Sequence, residues 1–302
     1  MTNVKTVREK LTGVFAPICT PFDRNDEVDY EGLAHNVRKS SGSGMTGYFA
    51  LGTNGEYKTL SERESLKVLE TVVKHASDDM VIMAGSGAES TKLTIEITKA
   101  VAEVGAELVS LLMPHFFAKK ITDDVMAAYI FDVAEASPVP VVLYNNPSVA
   151  AGVTMRASLV ERVAEHPNVV GIKDSSKETY PENLSFASES FFVMAGSASF
   201  FLDLLKQGGT GGVLSLANVI PQACAELHRL FVNGKIDEAE ELNTRLVALN
   251  KQVSGTYGVA GVKAAMDAAG FVGGSPRKPL TGLAESERAA LGKIISDSAL
   301  LP

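Results

Sequence analysis

The sequence predicts an α/β fold, a (β/α)8 TIM barrel with a C-terminal helical extension. Three features support this fold. Eight apolar runs of strand length recur along the chain, segments with helical periodicity separate these runs, and the pattern becomes purely helical after residue 217. The runs are continuously apolar, which is typical of parallel strands that are buried on both faces. Eight strand–helix units in about 230 residues fit a closed barrel.

Turn or helix signals bound each of the eight strands. In chain order, the predicted strands are Val14–Thr20, Gly47–Gly52, Val81–Gly85, Leu108–Met113, Val139–Asn145, Val169–Lys173, Phe192–Gly196 and Gly211–Leu216. Between them, helix starts are marked by a capping box that opens at Ser61, by Ser90, and by Thr122 with two following aspartates. An open doubly wound sheet is the alternative. It would usually carry a glycine-rich dinucleotide fingerprint after the first strand, where this chain has Pro21-Phe22-Asp23.

The C-terminal part of the chain is predicted to be helical throughout. Helices are expected over roughly 218–233, 236–254, 258–269 and 284–295, and the first of them completes the eighth strand–helix unit. No low-complexity linker separates the remaining helices from the barrel. We therefore expect a barrel catalytic domain over 1–233 and a C-terminal helical region over 234–302.

Composition narrows the classes of function. The chain has 302 residues and a net charge of −8, with no basic block that would suit nucleic acid or an anionic membrane. No apolar stretch approaches the roughly 20 residues of a membrane span, and the N-terminus lacks the apolar core of a signal peptide. Cys19 and Cys224 lack metal-ligand spacing and fit a reducing compartment. We expect a cytoplasmic protein that binds no metal, nucleic acid or membrane.

Lys173 closes the sixth predicted strand, directly after the apolar run Val169–Ile172. A lysine at the mouth of a hydrophobic barrel is partly desolvated, which disfavours its ammonium form and lowers its pKa. A neutral amine in that place can attack a carbonyl carbon and form a Schiff base. The alternative is a lysine that has left the strand and points into water, as most lysines do.

Other strand ends bring further chemistry to the same edge, because the active sites of such barrels lie at the C-terminal ends of the strands. Tyr144 ends the fifth strand and can transfer protons, although a buried aromatic with a satisfied hydroxyl is the alternative. The turn from Gly52 to Glu56 can present backbone N–H groups to a carboxylate, although an ordinary tight turn would also explain it. His115 follows the fourth strand and lies either in the pocket or on the surface.

Three motifs together resemble those of one family. They are Gly52-Thr53-Asn54-Gly55-Glu56, Leu143-Tyr144-Asn145-Asn146-Pro147 and Gly171-Ile172-Lys173-Asp174. In this order, the chain resembles the dihydrodipicolinate synthase / N-acetylneuraminate lyase family of class I aldolases, nearly from end to end. The resemblance implies a (β/α)8 barrel with a C-terminal helical region, usually assembled as a homotetramer. It also implies that Lys173 forms an imine with pyruvate or another 2-keto acid, without a separate cofactor.

The resemblance implies roles for further positions of this chain. Tyr144 would shuttle protons, and the Thr53 hydroxyl would take part in the same relay. The backbone amides of Thr53 and Asn54 would hold the carboxylate of the keto acid. Gly196 and Val213 match positions that line the substrate pocket.

Two departures from the family pattern bear on the substrate. Dihydrodipicolinate synthases usually carry an arginine shortly after the tyrosine motif, where it binds the carboxylate of the aldehyde, and this chain has Val149. Many members carry a tyrosine in the turn after the fourth strand, which reaches the site of a neighbouring subunit. This chain has Phe116 there, beside His115, and Phe116 has no hydroxyl for a relay. His115, Phe116 and Val149 are therefore candidates for the variable part of the pocket.

The leading hypothesis is a Schiff-base lyase that acts on a 2-keto acid. Stretches such as Ala84–Thr91 and Ala195–Phe200 look most like 4-hydroxy-2-oxoglutarate aldolases. The alternatives are a dihydrodipicolinate synthase, a dehydratase or deaminase of a hydroxylated keto acid or sugar acid that uses the same imine, and a non-catalytic keto-acid sensor. A sensor needs neither Lys173 nor Tyr144, so the presence of both favours an enzyme.

Overall fold

The computed structural model describes residues 6–301, and its centre is a closed barrel of eight parallel strands. The first strand pairs with the second on one side and with the eighth on the other, so the predicted barrel is confirmed and the open-sheet alternative is wrong. The strands are β1 Gly13–Pro17, β2 Gly47–Ala50, β3 Val81–Gly85, β4 Leu108–Leu112, β5 Val141–Asn145, β6 Val169–Asp174, β7 Phe192–Ala195 and β8 Gly211–Val213.

β1 and β8 are shorter than predicted, and the side chain of Asn218 accounts for the end of β1. Its amide nitrogen donates to the Pro17 carbonyl oxygen at 3.0 Å, and its amide oxygen accepts from the Cys19 N–H at 3.2 Å. A side chain thus takes backbone groups that a longer β1 would pair with a strand. After β8, the chain turns into a 3-10 segment, Ser215–Asn218, that brings this asparagine into place.

Twelve helices are present among the described residues, and three of the predicted helix starts are confirmed. Ser61, Ser90 and Thr122 each accept a hydrogen bond from a backbone N–H of the following first turn. The helices are α1 Val7–Lys10, α2 Tyr30–Ser40, α3 Glu62–His75, α4 Thr91–Val104, α5 Asp123–Ala136, α6 Ala157–Ala164, α7 Tyr180–Asn183, α8 Phe201–Lys206, α9 Pro221–Val232, α10 Ile236–Asn250, α11 Thr256–Ala268 and α12 Glu285–Asp297.

Apolar side chains form two layers, one inside the barrel and one between the strands and the surrounding helices. The inner cluster fills the barrel and includes Phe15, Phe49, Met83, Tyr144 and Met194. The larger outer cluster joins the strands to the helices. Each strand therefore buries both faces, which explains its continuously apolar sequence.

Glycines allow two strands to approach their neighbours closely. A Cβ at Gly47 in β2 would collide with the backbone carbonyl oxygen of Val81 in β3. A Cβ at Gly171 in β6 would collide in the same way with the carbonyl oxygen of Phe192 in β7. Because backbone atoms cannot move aside as a flexible side chain can, only glycine fits at these two positions.

The C-terminal helices are fastened to the barrel and form the predicted helical extension. α10 continues into a π-helical turn, Lys251–Gly255, and α11 is kinked at Gly258, which has φ +57°. Asn36 of α2 exchanges two hydrogen bonds with the backbone of Val272, at 2.8 and 2.7 Å. The division into domains at residue 233 stays a prediction. Within residues 6–301, no helix is both long enough and apolar enough to cross a membrane.

Candidate active site

Lys173 lies in β6 with its side chain inside the mouth of the barrel. Its neighbours in register are Tyr144 on β5 and Met194 on β7, both members of the inner cluster. The residue is only 4% exposed. Its Nζ lies 3.7 Å from the centre of the Tyr144 ring and 5.3 Å from the centre of the Phe49 ring. The surface-lysine alternative is therefore wrong, because this amine faces aromatic rings instead of water.

The carboxylate of Asp174 anchors the end of β6 directly beside Lys173. It is fully buried and joins β6 to β5 and to the loop that follows β6. Its four hydrogen-bond donors are Asn145 Nδ2 at 3.0 Å, Thr179 Oγ1 at 2.8 Å, Asn183 Nδ2 at 2.7 Å and the Ser176 N–H at 2.9 Å. Burial raises the pKa of Asp174, although these hydrogen bonds oppose the shift. The network limits movement of the backbone that carries the amine.

Tyr144 is the next-to-last residue of β5, and its hydroxyl belongs to a short hydrogen-bonded chain. Its Oη lies 3.1 Å from Thr53 Oγ1 and accepts from Asn146 Nδ2 at 2.9 Å. Burial raises the pKa of the phenol, but the positive charge of Lys173 and the hydrogen bonds to Asn146 and Thr53 outweigh burial. The pKa of Tyr144 therefore lies below its ordinary value, which suits a group that gives and takes protons.

The turn after β2 brings Thr53 and Asn54 to the same place. Within the turn, Gly55 N–H donates to the Gly52 carbonyl oxygen at 3.1 Å and Glu56 N–H donates to the Thr53 carbonyl oxygen at 3.0 Å. Among residues 6–301, the N–H groups of Thr53 and Asn54 have no acceptor, and the buried Asn54 Nδ2 has no hydrogen-bond partner. Unpaired donors in a polar turn are suited to an anionic ligand.

A cavity of about 430 Å³ opens from this site to the surface, and we call it the mouth cavity. Val149 lines it, and its assignment to the variable part of the substrate pocket stays a prediction. Of its lining residues, only Lys58 carries a cationic side chain. The lining residues are Thr53, Asn54, Glu56, Tyr57, Lys58, Thr59, Leu112, Asn146, Ser148, Val149, Ser215, Ser254, Gly258, Val259 and Leu280.

Two further predicted site residues, Val213 and Gly196, lie at the C-terminal ends of β8 and β7. Val213 ends β8 and belongs to the inner cluster with Tyr144. Gly196 follows β7, and its N–H donates to the Asp174 carbonyl oxygen at 2.6 Å. A Cβ at Gly196 would collide with Ser175, so this close approach requires glycine. The pocket-lining roles of Gly196 and Val213 stay predictions.

His115 and Phe116 lie on the loop after β4 and are absent from the lining of the mouth cavity. Both backbone N–H groups donate to Glu89 Oε2 at 2.9 Å. His115 Nδ1 lies 3.0 Å from the Met113 carbonyl oxygen, and Phe116 is 77% exposed. Their assignment to the pocket stays a prediction, since the side chains do not reach the cavity of their own chain.

Two residues of this site were not singled out from the sequence. Asn146 donates to the Tyr144 hydroxyl, and its position two residues after that tyrosine, just past the end of a strand, was a usable signal. Phe49 lies beside the amine and packs edge-on to Tyr144 with 6.1 Å between the ring centres. Phe49 had no such signal, because one apolar residue of β2 resembles the next.

The comparison with known proteins decides the family. The model of the Dihydrodipicolinate synthetase family matches residues 10–298. The chain belongs to this family. It is therefore an enzyme, a lyase of the class I aldolase type, in which a lysine forms a Schiff base with the substrate and no metal is required.

Relatives within the Dihydrodipicolinate synthetase family carry more than one activity in their names. The 4-hydroxy-tetrahydrodipicolinate synthase of Methanothrix thermoacetophila is 34% identical and covers 94% of this chain and 96% of its own length. A probable mitochondrial 4-hydroxy-2-oxoglutarate aldolase of Emericella nidulans is 30% identical and covers 96% of each chain. The crystal structure of the chloride-inhibited dihydrodipicolinate synthase from Acinetobacter baumannii, complexed with pyruvate, is 30% identical with a TM-score of 0.89, covering 96% of this chain and 99% of that one.

Replacement of Lys173 by methionine should raise the pKa of Tyr144, because it removes the positive charge while the burial of the phenol remains. The pKa is measured from phenolate absorbance against pH, and a Tyr144→Phe variant identifies the signal of this tyrosine. Lys177→Met is the matched control, since Lys177 is exposed and its replacement should leave the titration unchanged. An equal Tyr144 pKa in the wild type and in Lys173→Met would show that the two groups are not coupled.

Proposed function

We propose that this enzyme cleaves a carbon–carbon bond of a 2-keto acid through an imine on Lys173. The observation that carries the proposal is the buried Lys173 amine, which lies 3.7 Å from the centre of the Tyr144 ring. The hydroxyl of this tyrosine is hydrogen-bonded to Thr53 and Asn146. This arrangement supplies a nucleophile, a proton-transfer group beside it and polar partners that orient that group.

The proposed reaction begins when the neutral Lys173 amine attacks the keto carbon of the substrate. Tyr144 donates its proton to the hydroxyl that leaves the carbinolamine as water, and the iminium ion that remains acts as an electron sink. The Tyr144 phenolate then takes the proton from the substrate hydroxyl two carbons away from the imine carbon. The bond between the carbon that carries this hydroxyl and the carbon next to the imine carbon breaks, its electron pair forms an enamine, and an aldehyde leaves. Tyr144 returns its proton to the enamine carbon, and water hydrolyses the imine to release pyruvate and the free amine.

The turn at Thr53 and Asn54 is the proposed carboxylate site. The unpaired backbone N–H groups of both residues can donate to the carboxylate next to the keto carbon. The Thr53 hydroxyl, 3.1 Å from Tyr144 Oη, would then bind the phenol that moves the protons. One turn therefore orients both the substrate and the proton-transfer group.

We further propose that the preferred substrate resembles 4-hydroxy-2-oxoglutarate, which has a second carboxylate at the far end. Lys58 supports this because it is the cationic side chain that lines the mouth cavity. Its Nζ lies 4.0 Å from Glu89 Oε1, so the ammonium is only loosely paired. The second candidate is 4-hydroxy-tetrahydrodipicolinate synthase, because a relative of that name is 34% identical. Val149 weighs against it, since valine cannot bind a carboxylate as an arginine does.

Borohydride reduction in the presence of pyruvate should attach one pyruvate-derived group irreversibly to Lys173. The reason is that reduction converts the reversible imine into a stable secondary amine. Intact-mass and peptide mass spectrometry locate the adduct, and Lys173→Ala should form none. Lys177→Ala, at an exposed lysine of the next loop, is the control that should be labelled like the wild type. Failure of every small 2-keto acid to label Lys173 would exclude imine chemistry.

Lys58→Met should raise the KM for 4-hydroxy-2-oxoglutarate by about 10-fold, because a charge-assisted contact with the distal carboxylate is lost. The rate is followed through pyruvate release. Lys119→Met, at an exposed lysine outside the mouth cavity, should leave KM unchanged.

The same substrate assay separates the alternatives. If the wild type forms 4-hydroxy-tetrahydrodipicolinate with a higher kcat/KM than it cleaves 4-hydroxy-2-oxoglutarate, the synthase is the correct assignment. If the wild type catalyses neither of these two reactions but dehydrates or deaminates a sugar acid, the imine serves that dehydration or deamination.

We also propose that the chain assembles as a homotetramer in which Phe116 and Phe117 are covered. These two side chains are 77% and 68% exposed and pack edge-on with 5.0 Å between ring centres. Paired aromatic side chains on a surface are typical of protein contacts.

A Phe116→Asp/Phe117→Asp variant should have a lower mass in solution by light scattering. Val232→Asp, at an exposed position of α9, is the control, and a monomeric wild type would refute the assembly.

A further inference from the structure

The turn that carries Thr53 and Asn54 is bracketed by two residues with positive φ. Leu51 has φ +57° and Glu56 has φ +53°. Residues other than glycine rarely adopt this left-handed backbone conformation, which persists only where surrounding contacts stabilise it. The backbone hydrogen bonds inside the turn join residues three apart at most. Contacts from outside the turn are therefore needed to fix its conformation.

The contacts that hold Glu56 come from the C-terminal helical extension. Lys263 Nζ forms an ion pair with Glu56 Oε1, and the two side chains are 0% and 2% exposed. Glu56 Oε2 accepts from the Arg277 N–H at 2.9 Å. Lys263 Nζ also donates to the Ser275 carbonyl oxygen at 3.0 Å and lies 4.4 Å from the centre of the Phe22 ring. Both carboxylate oxygens of Glu56 are thus engaged by this extension.

A requirement for stability alone does not explain a buried ion pair. Desolvation of the two charges offsets most of their attraction, and apolar side chains of similar volume often serve as well or better. Burial lowers the pKa of Lys263, while the carboxylate of Glu56 opposes that shift. An ion pair is directional, whereas an apolar contact is not. It holds one particular carboxylate oxygen next to one particular nitrogen and so fixes the position of both side chains.

The other end of the turn reaches the reacting groups. Glu56 N–H donates to the Thr53 carbonyl oxygen at 3.0 Å, and Thr53 Oγ1 lies 3.1 Å from Tyr144 Oη. Thr20 Oγ1 secures the turn further by donating to the Gly55 carbonyl oxygen at 2.8 Å. Because of this backbone hydrogen bond, a shift of Glu56 would also displace Thr53. The Thr53 hydroxyl, which is hydrogen-bonded to Tyr144, would move with it.

We propose that Glu56 and Lys263 are positioning residues, through which the C-terminal extension holds the Thr53–Asn54 turn against Tyr144. The inference rests on the proposed roles of Thr53 and Tyr144. The pair acts on the reaction through the turn: it places the Thr53 hydroxyl at the phenol and aims the two unpaired amides at the substrate carboxylate.

The main test is the double variant Glu56→Gln/Lys263→Met, which removes both charges together and leaves no unpaired charge in the interior. We expect kcat to fall by about 10- to 100-fold, because a small displacement of the Thr53–Asn54 turn misorients both the phenol and the substrate. The pKa of Tyr144 should rise in the same variant, because the hydrogen bond between Thr53 and the phenol lowers it in the wild type. Borohydride labelling of Lys173 at saturating pyruvate should still go to completion, since β6 is untouched.

Glu56→Asp tests the same point without changing any charge. It keeps the ion pair but shortens the arm by one methylene, so the turn must shift or the pair must lengthen. We expect an intermediate loss of kcat and an intermediate rise in the Tyr144 pKa. This variant decides the question if the double variant does not fold.

Glu64→Gln is the matched control. Glu64 forms another ion pair between the barrel and the extension, with Arg277 Nη2 at 2.5 Å, but it lies on α3 outside the turn. Glutamine keeps the capping contact of that helix. This variant should keep the wild-type kcat and Tyr144 pKa, even if the melting temperature falls.

Three results are distinguishable. A folded double variant or Glu56→Asp variant with wild-type kcat and Tyr144 pKa would overturn the positioning role. Equal losses in Glu64→Gln and the Glu56 variants, in proportion to their melting temperatures, would reduce the pair to a structural contact. If wild-type Lys173 is never labelled, the proposed function fails, but the Tyr144 titration in the Glu56 variants still decides the positioning role.

Discussion

The contact between the Lys173 amine and the Tyr144 ring is the constraint on which the site depends. A positive charge at 3.7 Å from the ring centre, inside an apolar barrel, is stabilised by the ring and by the phenolate that it favours. The charge on the amine therefore lowers the pKa of the phenol beside it. In the proposed reaction, this contact places the phenol where it can donate a proton to the hydroxyl that leaves the carbinolamine and then take up the proton of the substrate hydroxyl.

The barrel makes this contact possible by converging strand ends. Tyr144 and Lys173 are partners in register on β5 and β6, so the pleat directs both side chains inward. The inner cluster of apolar side chains fills the barrel around them. The buried Asp174 network then prevents the end of β6 from fraying. The geometry of the site is thus a consequence of strand pairing more than of loop conformation.

The residues at the strand ends could be predicted from the sequence, whereas the contacts between distant segments could not. Lys173 and Tyr144 were predictable because parallel strands in a barrel place their C-terminal ends together. The end of β1 was not, because it depends on a side chain, Asn218, that lies 201 residues after Pro17 along the chain. The pairing of Glu56 with Lys263 was hidden for the same reason. Nothing local to either residue predicts a partner that only tertiary folding brings near.

The composition of the mouth cavity has a consequence for how the enzyme could change its substrate. The amine and the phenol belong to strands, whereas Ser148, Val149 and Val259 at the cavity wall lie on connecting segments or near a helix kink. Ser148 and Val149 are exposed, and positions of this kind tolerate substitution with small effects on stability. Specificity and reactivity are therefore separable in this molecule. For the proposed reaction, natural variation or directed evolution at the cavity wall can alter which substrate is accepted while the covalent chemistry is inherited unchanged.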